Sequence, residues 1–111
     1  MERYDMLNEA AQTYLREHKL REMEQILATL QADGKIEVYH NDLSEAAEAD
    51  FLSRQTKPLR ALLCLWQDAT PDLPSHRVRS ALLGGFPENA DCEVFLRGED
   101  GICMRKLAET L

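Results

Sequence analysis

Apolar positions recur in steps of three and four through the first third of the chain: Tyr4, Leu7, Ala11, Tyr14 and Leu15, then Leu20, Met23, Ile26, Leu27 and Leu30. That is the helical period. Ala, Leu, Glu, Gln, Met and Arg fill the stretch, and all are good helix formers. The phase slips at Glu17-His18-Lys19, so residues 1–33 read as one N-terminal helical segment or as a helical hairpin, closed by Asp33-Gly34. The period then changes. Ile36 and Val38 alternate with Glu37 and Tyr39, which predicts a strand over 35–40 near a sheet edge. Asn41 or Asp42 can cap a following helix, with Glu45 three residues beyond Asp42 as in a capping box. That helix runs over 43–54, with Ala46, Ala47, Phe51 and Leu52 turned inward, and Thr56-Lys57-Pro58 ends it.

Residues 59–66 form the strongest predicted strand. Leu59, Ala61, Leu63 and Leu65 alternate with Arg60, Leu62, Cys64 and Trp66; both sets are largely apolar, so the strand is expected to be central and covered on both sides. A turn-rich stretch over 68–74 leads into a helix over 75–83, stopped by Gly84-Gly85. Cys92, Val94 and Leu96 then alternate with Glu93, Phe95 and Arg97, and Gly98-Glu99-Asp100-Gly101 supplies a hairpin turn. The prediction is a single α+β domain over 1–111. It has a small mixed or antiparallel sheet of about four strands (35–40, 59–66, 91–97, 102–107), packed by the N-terminal helical segment and two shorter helices (43–54, 75–83).

Charge adds a constraint on partners. The net charge is -7, with seven basic against twelve acidic residues before position 58 and six against eight from there on. An acidic chain lacks the positive field that general nucleic-acid binding needs, so nucleic acid is disfavoured as a partner. No apolar run approaches the length of a bilayer span, and the polar start Met1-Glu2-Arg3-Tyr4-Asp5 has no apolar signal core. A cytoplasmic setting without membrane contact follows as the expectation. Cys64, Cys92 and Cys103 form an odd set with no C-x-x-C spacing, which argues for small buried hydrophobes over a disulfide framework or a zinc site. Cys103, flanked by Arg97 and Arg105 across the hairpin, is the cysteine expected nearest the surface.

The stretch richest in candidate chemistry is 67–76, because ligands of α/β folds gather beyond the carboxyl ends of strands. Asp68, Asp72 and His76 could supply two carboxylates and an imidazole to a divalent metal. The competing explanation is structural: Asp and Pro build turns, and Asp72 or Ser75 caps the next helix. Pro71-Asp72 followed by Glu93 matches a nuclease carboxylate pattern only in part, since Phe95 stands where that chemistry needs a lysine. Gly84-Gly85 follows a helix instead of preceding one, the wrong polarity for a phosphate cradle. No cofactor is expected.

With no compact catalytic motif, the chain reads as a small cytoplasmic non-enzymatic protein that works through protein–protein contacts, either with another protein or as a homodimer. The expected contact residues are Leu20, Met23, Leu27 and Leu30 on the N-terminal stripe, and Glu45 and Glu48 on the acidic helix. Two alternatives stand beside it. One is a metal-assisted small hydrolase built on the 67–76 loop. The other is an acidic immunity or decoy protein that binds a basic partner.

Overall fold

The computed structural model describes residues 2–111. Helix α1 (Glu2–Glu17) is followed by strands β1 (Gln25–Gln31) and β2 (Ile36–Asn41), then helix α2 (Glu45–Ser53). Strand β3 (Leu59–Trp66), a two-residue β4 (Pro71–Asp72) and helix α3 (His76–Gly85) come next. A short 3-10 turn at Pro87–Asp91, the hairpin β5 (Glu93–Gly98) and β6 (Gly101–Lys106), and a last 3-10 turn at Leu107–Thr110 complete the chain. The described strands form one mixed sheet in the order β2-β1-β3-β5-β6, with β4 paired to β3 beside β5. The α+β class holds, with six strands where about four were expected.

The added central strand is β1, which corrects the N-terminal helical prediction. The phase slip after Glu17 is the end of α1, not a twist in its stripe. Every residue of β1 is buried, because β2 and β3 flank it and helices cover both faces. A strand buried on both sides loses its period of two, and a short apolar run of this kind mimics a helix. Leu27 and Leu30 therefore lie inside the sheet, and Leu20 is buried too. Of the expected N-terminal contact residues only Met23 is exposed, at 64%.

Helix α1 packs on one face. Its Leu7 and Ala11 meet Ala28, Leu30, Ala61, Leu63, Leu65 and Phe95. Phe51 of α2, Val78 and Leu82 of α3, and Leu107 cover the other face over Leu27, Tyr39, Leu62, Cys64 and Val94. Strand β3 is central and double-sided, as its composition predicts. A register shift opposite Leu30 and Gln31 turns Arg60 outward and moves Leu59 to the α2/α3 face. The β3–α3–β5 crossover is what makes β3 and β5 parallel. Buried Asn89 ties this crossover down: its Oδ1 accepts from Leu59 N, and its Nδ2 donates to the Leu82 carbonyl, both at 2.8 Å. No helix among the described residues is long and apolar enough to cross a membrane.

Candidate functional site

One end of the sheet collects features that packing alone does not explain. Strand β1 starts there, β2 and β3 finish there, and α2 and α3 begin there. The register sets Gln25 opposite Asn41 on one side and opposite Trp66 on the other. Because side chains alternate along a strand, these three share the α2/α3 face with Leu27, Tyr39 and Cys64. The result is a row of two amides and an indole. Gln25 is 2% and Asn41 1% exposed, yet Gln25 Oε1 and Asn41 Nδ2 have no hydrogen-bond partner. The other Asn41 amide atom, Oδ1, accepts from Leu43 N and fixes the side chain. Asp72 Oδ2 accepts from Trp66 Nε1 at 2.9 Å and fixes the indole.

Backbone strain falls at the same end. Among the described residues, three other than glycine have positive φ: Met23 at 72°, Leu43 at 66° and Ala69 at 65°. They precede β1, follow β2 and follow β3. Side chains in the left-handed region cost of order 1 kcal/mol or more, and such positions concentrate at ligand sites. Two clefts open beside the row. One of about 250 Å3 is lined by Glu24, His40, Asp42 and Ala47. The other, of about 290 Å3, is lined by Glu22, Met23, Trp66, Gln67 and Asp68. Glu24 Oε2 lies 2.7 Å from His40 Nε2, and the Glu24 carboxyl is held below its usual range, first by the Arg21 amide and then by His40.

The two helix starts meet over a buried carboxylate. Ser44 caps α2 by accepting from Ala47 N, and Ser75 caps α3 by accepting from Val78 N. Asn41 or Asp42 was expected as the first cap; they instead accept from Leu43 N and Ser44 N in the preceding turn. Ser75 Oγ also donates to Glu48 Oε2 at 2.6 Å. Arg77 Nε sits 3.0 Å from Glu48 Oε1, a close ion pair without the alignment of a hydrogen bond, and Arg77 Nη1 reaches Glu45 Oε1 at 3.0 Å. Glu48 is only 1% exposed. It is not the docking residue expected on an acidic surface, and its neighbour Glu45 is tied to Arg77. Its position three residues before Phe51, in phase with the apolar stripe, is the signal that could have shown this.

The predicted metal ligands do not converge. Asp68 accepts from Thr70 N within its own turn, and its carboxyl is lowered first by that residue. Asp72 serves the indole and Leu73 N. His76 opens α3 with Ser80 Oγ 3.5 Å from its Nδ1. Among the described residues no three His, Cys, Asp or Glu side chains are grouped to hold a metal. Gln25, Asn41 and Trp66 were missed because their meeting depends on strand register, which separate segments do not reveal.

No family model and no curated protein matches the sequence. Solved structures do resemble it. Cytidine deaminase from Mycobacterium leprae superposes with a TM-score of 0.65 at 20% identity, covering 97% of this chain and 96% of that one. Cytidine deaminase from Mycobacterium tuberculosis gives 0.66 at 19% identity, over 97% and 93%. A glutamate-to-glutamine variant of that enzyme gives 0.68 at 18%, with the same coverage. At these identities the likeness is one of fold. It overturns the expectation of a non-enzymatic protein, whether a contact protein or an acidic decoy; the loop-centred hydrolase falls instead with the scatter of Asp68, Asp72 and His76. Nearly the whole chain takes a fold in which solved enzymes work, and the amphipathic stretch behind the contact reading is in part a buried strand.

Zinc deaminases of cytosine and adenine carry an H-x-E…P-C-x-x-C signature, in which a His or Cys and two Cys hold the metal and the Glu moves protons. Here the first turn of α2 carries Ala46-Ala47-Glu48, and Pro74-Ser75-His76-Arg77-Val78 leads into α3. The glutamate and the proline match that spacing. The three ligand positions hold Ala46, Ser75 and Val78. Alanine and valine have no lone pair to offer, and zinc sites are built from thiolate, imidazole and carboxylate. The residues present do not fit a zinc ion.

Proposed function

We propose that the chain binds a pyrimidine nucleoside, or a ring of the same kind, at the Asn41–Gln25–Trp66 end of the sheet, and that Glu48 is the proton-transferring group of an enzyme site there. The observation that carries this reading is the amide pair. Gln25 offers a free acceptor and Asn41 a free donor, in register and beside an indole face. A heterocycle with adjacent donors and acceptors satisfies both amides, and an aromatic side chain can stack on its flat face. The cytidine deaminases that share the fold support the same ligand class. The enzyme fold and the buried carboxylate support acid–base chemistry on such a ring, by a route that does not use zinc. The proposed setting is the cytoplasm, where the three free cysteines stay reduced.

Titration with cytidine, uridine and adenosine, followed by NMR of side-chain amides and the indole, tests binding. A pyrimidine nucleoside is expected to shift the Gln25, Asn41 and Trp66 signals together, with adenosine weaker. Saturating millimolar pyrimidine nucleoside with these signals unmoved sinks the reading. Ammonia release from cytidine, compared between the native chain and Glu48→Gln, tests the proton-transfer role. Equal turnover by the two would remove Glu48 from it.

A further inference from the structure

A carboxylate with 1% exposure needs a compensating charge or hydrogen bonds to offset its lost hydration. In this chain Glu48 has both, and neither comes from a metal. Ser75 Oγ donates to one carboxylate oxygen at 2.6 Å. Arg77 Nε lies 3.0 Å from the other. Arg77 is half-exposed, so its head reaches inward from the rim, and its second contact to Glu45 pins it there. Both partners come from the N-cap and first turn of α3, the segment whose spacing matches the cysteines of the zinc signature. Ser75 stands at one of those cysteine positions, and Arg77 lies between them.

We infer that Arg77 and Ser75 together replace a metal in this chain: Arg77 balances the charge of Glu48, Ser75 orients it, and the site is built to be zinc-free. Arg77 is a positioning residue acting through Glu48. Its replacement by a neutral side chain leaves a buried carboxylate with one hydroxyl donor. Neutralising Glu48 as well removes the need for the cation. This inference concerns the protein's own charge balance and stands or falls separately from the identity of the ligand.

Two measurements test it. The native chain is incubated with excess zinc, gel-filtered and analysed for metal by mass spectrometry, with its Tm recorded with and without EDTA. Zinc well below one ion per chain and an unchanged Tm are expected. One retained zinc per chain, or a Tm lowered by EDTA, overturns the inference. Thermal melts of Arg77→Met, Glu48→Gln and the double variant supply the second test. Arg77→Met is expected to lower Tm by about 5–10 °C, and the double variant to recover most of that loss. A double variant as unstable as Arg77→Met, or an Arg77→Met chain as stable as the native one, shows that Arg77 only packs and overturns its compensating role.

Discussion

Tyr39 is held neutral by its surroundings. Burial, and then the hydrogen bond that its hydroxyl donates to Glu37 Oε2, push the phenol up to about 12. The folded chain therefore keeps a proton that the unfolded chain releases near pH 10. The associated stability is fully present below about pH 10 and is lost as pH rises toward 12. Urea denaturation of native and Tyr39→Phe chains at pH 9, 10 and 11 is expected to show a steeper alkaline decline in the native one, and parallel curves would refute it. Thiols report burial more simply. Burial pushes Cys64 far up and Cys92 up to about 12, whereas Cys103 is only half-buried. One fast-reacting thiol per native chain is expected with a chromogenic disulfide, and Cys103→Ser should abolish it. Cysteine burial was legible from odd number and spacing. For Glu48 the sequence offered only its phase with Phe51; what lets an acidic side chain face inward, the partners Ser75 and Arg77 from a later segment, emerges only in the fold.

At the scale of elements, alternation and turn signals located β2, β3, α3 and the β5–β6 hairpin to within one or two residues of their ends. β1 escaped because its seven residues are all buried, which erases the period that separates strand from helix. The place of the candidate site was partly legible, since the loop after β3 lies at the end of the sheet where Gln25, Asn41 and Trp66 meet. Its chemistry was not, because Gln25, Asn41 and Trp66 meet only through register. The connections also carry the strain. Ala69→Gly, at φ 65°, should stabilise the chain by about 0.5 kcal/mol, because glycine occupies that region freely. A measured loss of stability would show that Ala69 is not strained. Asn89→Ala should act in the opposite direction and more strongly. It strips partners from the buried Leu59 N–H and Leu82 carbonyl, and a loss of about 3 kcal/mol in denaturant titration is expected.

Across the whole molecule the two faces of the sheet are built differently. The buried side chains of the α1 face are aliphatic or aromatic among the described residues. Among the described residues, the buried polar atoms left without a hydrogen bond belong to Gln25, Thr29, Asn41, Gln55 and Glu48, whose Oε1 has the Arg77 ion pair alone. Register and packing put all five on the α2/α3 side. A buried acceptor or donor without a partner costs about 1–3 kcal/mol, so this face gives up stability that an apolar face of equal size would keep. Proteins sustain such costs where ligands bind, and removing them commonly raises stability while lowering function. Gln25→Met separates the two roles, because it keeps length and volume while deleting the free acceptor. The expected outcome is a stability gain of about 1 kcal/mol by urea denaturation, with a loss of nucleoside-induced shifts at Asn41 and Trp66. Leu7→Ala on the opposite face serves as the contrast. It should cost about 3 kcal/mol through the cavity it leaves, with nucleoside binding unchanged in the fraction that stays folded. A Gln25→Met chain that is less stable than the native one would show that the Gln25 side chain supports the fold itself. The polar face would then be a structural network, and its ligand role would be lost.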